Sequence, residues 1–233
     1  KREWVLKGDS VIYAACDSIK DTLEYDFYTE KQFSYEGLSL QESVKHLAKF
    51  TSDIWQIHPF CEGNTRTTAV FVIKYMKTFG LEVSNDVFAE HSWYFRNALV
   101  RANYNNLKNG IHATTEYLEL FFSNLLLNTN YELKNRFIHV DYESKLETGN
   151  IQSEMKNVLK GKNFTLNFTL EELAILRLIA ADPAITQKEI AVKIGKSDRT
   201  VKNKMAMLQD KQYIRRMNGK RNGRWEILVE LPS

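Results

Sequence analysis

"IHPFCEGNTRTT", residues 57–68, gathers an imidazole, a carboxylate, a glycine, an amide and a guanidinium between His58 and Arg66. Its local structure follows from a few residues. A helix arriving at His58 cannot run on smoothly, because Pro59 disfavours helical backbone in the residue before it. Residues 59–64 then form a loop, and Thr65 onward starts a second helix. The open N–H groups at that helix start favour an anion. Gly63 lets the backbone approach a phosphate with no Cβ in the way. Asn64 can donate from its side chain, and the planar fork of Arg66 can clamp phosphate oxygens. Glu62 is a hard oxygen ligand, suited to Mg²⁺ beside a phosphate. His58 titrates near neutrality and can take a proton from an attacking hydroxyl. Phe60 is expected to point into the core and fix the loop.

Each of these residues taken alone has a structural reading, a loop histidine or a solvated glutamate. Their spacing and helix placement together point to phosphoryl or nucleotidyl transfer. Gly63, Asn64, Thr65 and Arg66 then form the nucleotide-phosphate site, Glu62 the metal ligand and His58 the base. Cys61 lies in the same stretch, but no base partner beyond His58 is evident for a thiol nucleophile.

Working outward, helical spacing dominates and only three prolines occur. Ser18 to Lys31 is one helix candidate. Ser39 to Ile57 is a stronger one, with Ser39 as N-cap, Glu42 completing a capping box, and an apolar stripe from Val44 to Trp55. Thr65 to Phe79 is apolar nearly all round and closed by Gly80, which predicts a helix buried in the middle of a bundle. Asn85 or Asp86 caps another, running to about Tyr104, and Thr114 to Leu127 supplies one more. Within SWYFRNALVRANYNN, residues 92–106, two readings stand. Trp93, Phe95, Leu99 and Val100 are core with Arg96 and Arg101 in surface pairs, or Asn97, Arg101 or Asn103 lines the pocket. At the start, WVLKGDSVIYA, residues 4–14, has two short β-prone runs around a turn and reads as a hairpin.

Composition sets the bounds. A chain of 233 residues with 43% hydrophobic residues can build real cores. Uninterrupted apolar runs such as AVFVI at 69–73 are too short for a membrane span. Cys16 and Cys61 are too few for a disulfide framework or a zinc site, which points to a reducing cytoplasm. The net charge of +3 is unevenly spread. Residues 188–224 hold twelve Lys or Arg against three carboxylates, a net +9, which leaves −6 for the remainder. An acidic body with a basic tail indicates two modules with different partners.

The modules divide as residues 1–127, a polar connector over 128–165 with a helix expected in IQSEMKNVLK, and residues 166–233. In the last, Thr169 and Glu172 make a capping box and Pro183 ends the helix. A short helix stops at Gly195, a third starts at Ser197, and after Tyr213 two strands flank a basic Gly-rich turn. Helix, helix, turn, helix, hairpin resembles a winged helix-turn-helix. In such a domain Arg199, Thr200, Lys202, Asn203 and Lys204 lie on the recognition helix, and Lys220, Arg221 and Arg224 in the wing. Together they are the expected DNA contacts, with steep salt dependence. Ile190, Ile194, Val201, Met205 and Leu208 are read as core. A protein-interaction module with a solvated basic face is the alternative. Such modules usually bind as dimers, which leaves a homodimer open, although no seam for one is visible.

HPFCEGNTR, residues 58–66, resembles the Fic family signature, His-Pro-Phe-x-(Asp/Glu)-Gly-Asn-(Gly/Lys)-Arg-x-x-Arg. The resemblance implies a mainly α Fic fold with a β-hairpin flap, here Leu6, Lys7, Gly8, Asp9, Ser10 and Val11, that docks a target. It also implies AMP transfer from ATP, with Mg²⁺ on Glu62, to a Ser, Thr or Tyr hydroxyl of a protein whose proton His58 accepts. Two positions depart from the signature. Thr65 stands at the Gly/Lys position, and Ala69 where the final Arg would reach the γ-phosphate, so the triphosphate loses a grip. That departure keeps two alternatives alive: a nucleotide-sensing transcription regulator, and phosphoryl transfer as in the family's kinase-like branch. The family's inhibitory pattern, (Ser/Thr)-x-x-x-Glu-(Gly/Asn), has only near misses, at Thr78 with Glu82 and Thr115 with Glu119.

Overall fold

The computed structural model describes residues 3–127, 129–140, 168–218 and 223–231. The first module is a helical bundle of α1 (Ile19–Gln32), α2 (Leu40–Ile57), α3 (Asn64–Thr78), α4 (Asp86–Glu90), α5 (Ser92–Ala102), α6 (Glu116–Leu127) and the single turn α7 (Asn135–Ile138). Helix α2 is its axis and touches α1, α3, α5 and α6. It starts where the sequence requires: Ser39 Oγ accepts from Glu42 N while Glu42 Oε2 accepts from Ser39 N at 2.8 Å. Its Val44, Leu47, Ala48 and Trp55 are buried against the other helices.

The expectation that α3 occupies the bundle centre is corrected. Only Asn64, Thr68, Val72 and Met76 are buried along it, a single line at four-residue spacing, and Val70 is half exposed. Phe71 and Tyr75 leave that line to pack on Phe27 and Phe50 beside α1. The apolar look of α3 therefore serves two neighbours on adjacent sides, and the helix stays at the rim. The helix expected from residue 85 to about Tyr104 is also divided, because the backbone at His91 leaves helical geometry between α4 and α5.

Residues 4–14 form no hairpin. Trp4–Leu6 is a 3₁₀ turn, Lys7 and Gly8 follow with positive φ, and the chain then runs as an extended strap to Ala14. The strap is tied to the end of α2 by Ala14 N donating to Gln56 O at 3.4 Å and Gln56 Nε2 donating to Ile12 O at 3.1 Å. Val5, Leu6 and Val11 are buried. The β-prone runs read as strands instead drive three apolar anchors into the bundle without a partner strand.

The C-terminal module holds α8 (Leu170–Ala181), α9 (Gln187–Ile194) and α10 (Asp198–Asp210), then β1 (Ile214–Met217) paired antiparallel with β2 (Arg224–Ile227). Thr169 and Glu172 form the anticipated capping box, and Thr186 with Glu189 forms a second. Ile190, Ile194, Val201, Met205 and Leu208 are all buried. The helix expected in IQSEMKNVLK and the wing tip at 219–222 lie outside the described residues.

The two modules meet along a seam. A Cβ at Gly80, just past α3, would lie 2.5 Å from Ile194 Cγ2, so bare backbone abuts the end of α9. Arg177 Nη2 donates to Leu126 O at 2.9 Å, and Lys204 lies 3.5 Å from Glu171 and 3.7 Å from Glu36.

Candidate functional site

The loop between α2 and α3 is built by its ends. His58 C-caps α2 in the left-handed region at φ 54°, with its N–H donating to Trp55 O at 3.1 Å. That reversal turns the chain out of the helix and leaves the imidazole beside the strap. At the far end Gly63, at φ 81°, N-caps α3 with no side chain to offer, so the first N–H groups of α3 stay open to a ligand. Arg66 folds back over this point: a Cβ on Gly63 would lie 3.6 Å from Arg66 Nη2. Glu62 is exposed between the two ends. The loop therefore sets a ring nitrogen, a carboxylate, open amides and a guanidinium on one short arc.

Several predicted residues take other places. Phe60 is 51% exposed and does not fix the loop. Asn64 does so instead: it is buried, its Oδ1 accepts from Phe60 N at 3.0 Å and its Nδ2 donates to Phe60 O at 2.6 Å. With Oδ1 and one Nδ2 hydrogen taken, Asn64 has its backbone N–H and at most one side-chain hydrogen left for an anion. Thr65 Oγ1 accepts from Trp55 Nε1 at 3.0 Å, which pins the start of α3 to α2 and leaves the hydroxyl proton for another acceptor. Ala69 packs against the core.

Around His58 the walls are aromatic. The Tyr13 ring lies over the imidazole with centroids 3.9 Å apart and a 36° tilt, and Trp55 meets it edge-on at 5.7 Å and 87°. Burial holds the imidazole pKa below its ordinary value, with Arg96 acting the same way, while the Trp55 carbonyl and Glu3 pull it back up. That carbonyl leans toward the ring, yet the buried Nδ1 completes no hydrogen bond of good geometry. Behind Tyr13, its hydroxyl donates to Glu3 Oε1 at 2.7 Å, and Arg96 Nη2 pairs with Glu3 Oε2.

Tyr13, Glu3, Arg96 and Trp55 were not picked out as functional from the sequence. No spacing signal joins residues ninety positions apart, and Tyr13 sits in the run misread as a hairpin. The pocket-lining reading of 92–106 gains nothing either. Asn97 Nδ2 donates to Asn135 Oδ1 at 2.7 Å, Arg101 Nη2 to His112 O at 3.3 Å, and Asn103 Nδ2 to Ser52 Oγ at 2.9 Å. Trp93, expected in the core, is 63% exposed. Of the expected flap, Leu6 and Val11 are buried and cannot dock a target, while Lys7, Asp9 and Ser10 are exposed and Gly8 half-buried. Asp9 accepts from Tyr104 OH at 2.8 Å.

On the C-terminal module Arg199, Lys202 and Asn203 are exposed on α10, and Arg224 is exposed at the start of β2. Thr200 is half-buried and its N–H donates to Ser197 Oγ at 3.1 Å in the helix cap. A groove of about 350 Å³ runs between α9, α10 and the strands, lined in part by Gln187, Lys188, Asp198, Lys202 and Arg216. Lys204 departs from the expectation. Its ion pairs with Glu171 and Glu36 leave its side chain 13% exposed, so the seam and not the groove holds it. Lys220 and Arg221 lie outside the described residues.

Residues 8–76 match the Fic/DOC family model, and residues 172–215 match a winged helix-turn-helix DNA-binding model. No curated protein and no solved structure matches the chain. The loop from His58 to Arg66 and the helix order from Thr169 to Ile227 thus belong to a Fic/DOC domain carrying a C-terminal winged helix-turn-helix domain.

Proposed function

We propose that the Fic/DOC domain transfers AMP from ATP to a Ser, Thr or Tyr hydroxyl of a protein, and that the winged domain binds DNA. The observation that carries the first part is the loop itself, where His58 and the uncapped start of α3 share one arc with Arg66 folded over Gly63. The acceptor oxygen attacks the α-phosphorus, the bond from that phosphorus to the pyrophosphate oxygen breaks, and pyrophosphate leaves. The hydroxyl proton passes to Nε2 of His58, since Nδ1 is buried. Open amides of Gly63 to Arg66 and the Arg66 guanidinium hold the phosphates.

Glu62 fits a Mg²⁺ ligand. It is an exposed lone carboxylate beside the anion site, and Mg²⁺ takes one or two carboxylates and completes its shell with phosphates and water. Among the described residues no cluster of three His, Cys, Asp or Glu gathers elsewhere to hold a metal. The ion would offset charge on the departing pyrophosphate.

Ala69 favours a second reading, in which the pocket senses nucleotide without transferring it. An apolar side chain on the core gives no hydrogen bond to a terminal phosphate. Purified protein incubated with Mg²⁺ and ATP separates the readings. Label from α-phosphate appears in protein if AMP is transferred, label from γ-phosphate if phosphoryl is, and neither if the site only senses. Nucleotide binding with no label in any protein would overturn the enzyme reading.

For the winged domain, the exposure of Arg199, Lys202 and Arg224 and the sequestration of Lys204 give a graded expectation. Alanine at Arg199, Lys202 or Arg224 lowers the slope of log affinity against log salt by about 1 each where a phosphate contact is lost. Lys204→Ala leaves that slope unchanged. Fluorescence anisotropy with duplex DNA across a salt series reads both, and a Lys204 effect equal to the others would remove it from the seam. No helix among the described residues is long and apolar enough to cross a membrane. A cytoplasmic setting and a homodimeric DNA complex complete the proposal.

A further inference from the structure

We propose that Tyr13 is a positioning residue for His58, clamped over the imidazole by the Glu3 carboxylate that Arg96 holds in turn. The role rests on His58 acting as the base of the proposed transfer. A catalytic histidine is ordinarily oriented by a hydrogen bond from its second ring nitrogen. Here the buried Nδ1 completes no hydrogen bond of good geometry and the Trp55 carbonyl only leans toward the ring, which leaves packing a part in fixing it. Two aromatic walls supply that packing, Tyr13 lying over the ring at 3.9 Å with a 36° tilt and Trp55 edge-on at 87°. Walls close to perpendicular leave the imidazole one plane, with Nε2 as the nitrogen left to meet an acceptor.

Tyr13 is itself over-determined. Its ring stands edge-on to Trp55 at 5.6 Å, and its hydroxyl donates to Glu3 Oε1 at 2.7 Å. Glu3 is 3% exposed, and its second oxygen takes the Arg96 guanidinium, which also lies over Trp93 at 5.7 Å. Burying a carboxylate is unfavourable unless it is paired and bonded, and such pairs fix geometry more surely than they add stability. The strap, α2 and α5 thus converge on one ring. The titratable and charged groups facing the imidazole are Tyr13 from the strap, Glu3 from the residue before the 3₁₀ turn and Arg96 from α5.

The test compares Tyr13→Ala, Tyr13→Phe and Glu3→Gln with the parent. His58 is titrated by NMR through its ring carbon-bound proton, and transfer is followed with α-labelled ATP. Tyr13→Ala is expected to lower kcat about tenfold or more with KM for ATP within about twofold. It uncovers the ring, so the His58 titration moves up toward the ordinary histidine value. Tyr13→Phe keeps the stacked ring and recovers most of kcat. Glu3→Gln, which keeps the bulk and folds most readily, broadens or shifts the same resonance. A merely structural clamp would lower the melting temperature and leave the His58 titration and kcat where they were, which overturns the proposal. If the parent transfers no label, the enzyme reading fails, and the NMR titration alone still decides whether Tyr13 governs the ring.

Discussion

Replacing His58 by asparagine is expected to lower the proposed AMP transfer by about 10²- to 10⁴-fold, the range that a positioned general base contributes. The variant is chosen for the backbone. His58 sits at φ 54° as the C-cap of α2, a conformation asparagine adopts readily and alanine adopts at a cost of about 1 kcal/mol. His58→Asn should therefore unfold at the parent temperature and bind ATP with unchanged affinity, because the proposed anion site is Gly63, Arg66 and the start of α3. The parent's pH dependence has a defined sign. Burial depresses the imidazole pKa, so the neutral base persists below the ordinary value near 6.5, and kcat/KM falls only as pH drops through the lowered value. Stability follows the same group. The unfolded chain takes up a proton near 6.5 while the native ring resists, so this contribution is complete above that pH and is lost as pH falls toward the native value. Kinetics with α-labelled ATP from pH 5 to 8, beside urea melts of both proteins, check the pair of statements. Transfer by His58→Asn at the parent rate would remove His58 from the chemistry.

What could be read from the sequence divides along the range of the interactions. Ser39 with Glu42 and Thr169 with Glu172 cap their helices as the spacing predicts, because a capping box closes within four residues. The winged module was legible for the same reason: each helix carries its own cap and period, and the two paired strands are neighbours in sequence. The loop between α2 and α3 was legible in outline, since Pro59 and Gly63 act on their own backbone. Its wiring was not. Asn64 was expected to face a ligand, yet Phe60, four residues back, claims both ends of its amide. Local composition fails wherever one pattern suits two partners. The β-prone runs in residues 4–14 suit a hairpin or a buried strap equally, and the apolar face of α3 suits a central helix or one shared between two neighbours. Lys204, Glu3 and Arg96 were decided by contacts across the fold, the ion pairs of Lys204 with Glu171 and of Arg96 with Glu3, and the hydrogen bond that Tyr13 donates to Glu3. No window of sequence contains those pairs.

Gly80→Ala should destabilise the protein far more than an ordinary glycine substitution, and the reason lies in the seam. Gly80 ends α3 in a Schellman arrangement, its N–H donating to Lys77 O at 2.9 Å and the Leu81 N–H to Met76 O at 3.2 Å. At φ +76° any L-residue carries strain of about 1 kcal/mol. The added Cβ would also lie 2.5 Å from Ile194 Cγ2, 2.8 Å from its Cβ and 3.0 Å from its Cα. Ile194 is buried and β-branched at the end of α9, so neither its side chain nor its backbone yields freely, and overpacking there adds about 1–3 kcal/mol. Gly110 is the control. It has φ +66° and nothing within 4 Å of the same construction, so Gly110→Ala carries the backbone strain alone. Calorimetry should give a melting temperature lower by roughly 5–15 °C for Gly80→Ala against roughly 2–4 °C for Gly110→Ala. Ile194→Ala combined with Gly80→Ala should lose less than the two single losses together, because it removes the nearest clashing atom. Equal shifts for the two glycine variants would mean that α3 and α9 do not touch. A melt of Gly80→Ala that splits in two, where the parent melts once, would show the contact coupling the Fic/DOC body to the winged domain.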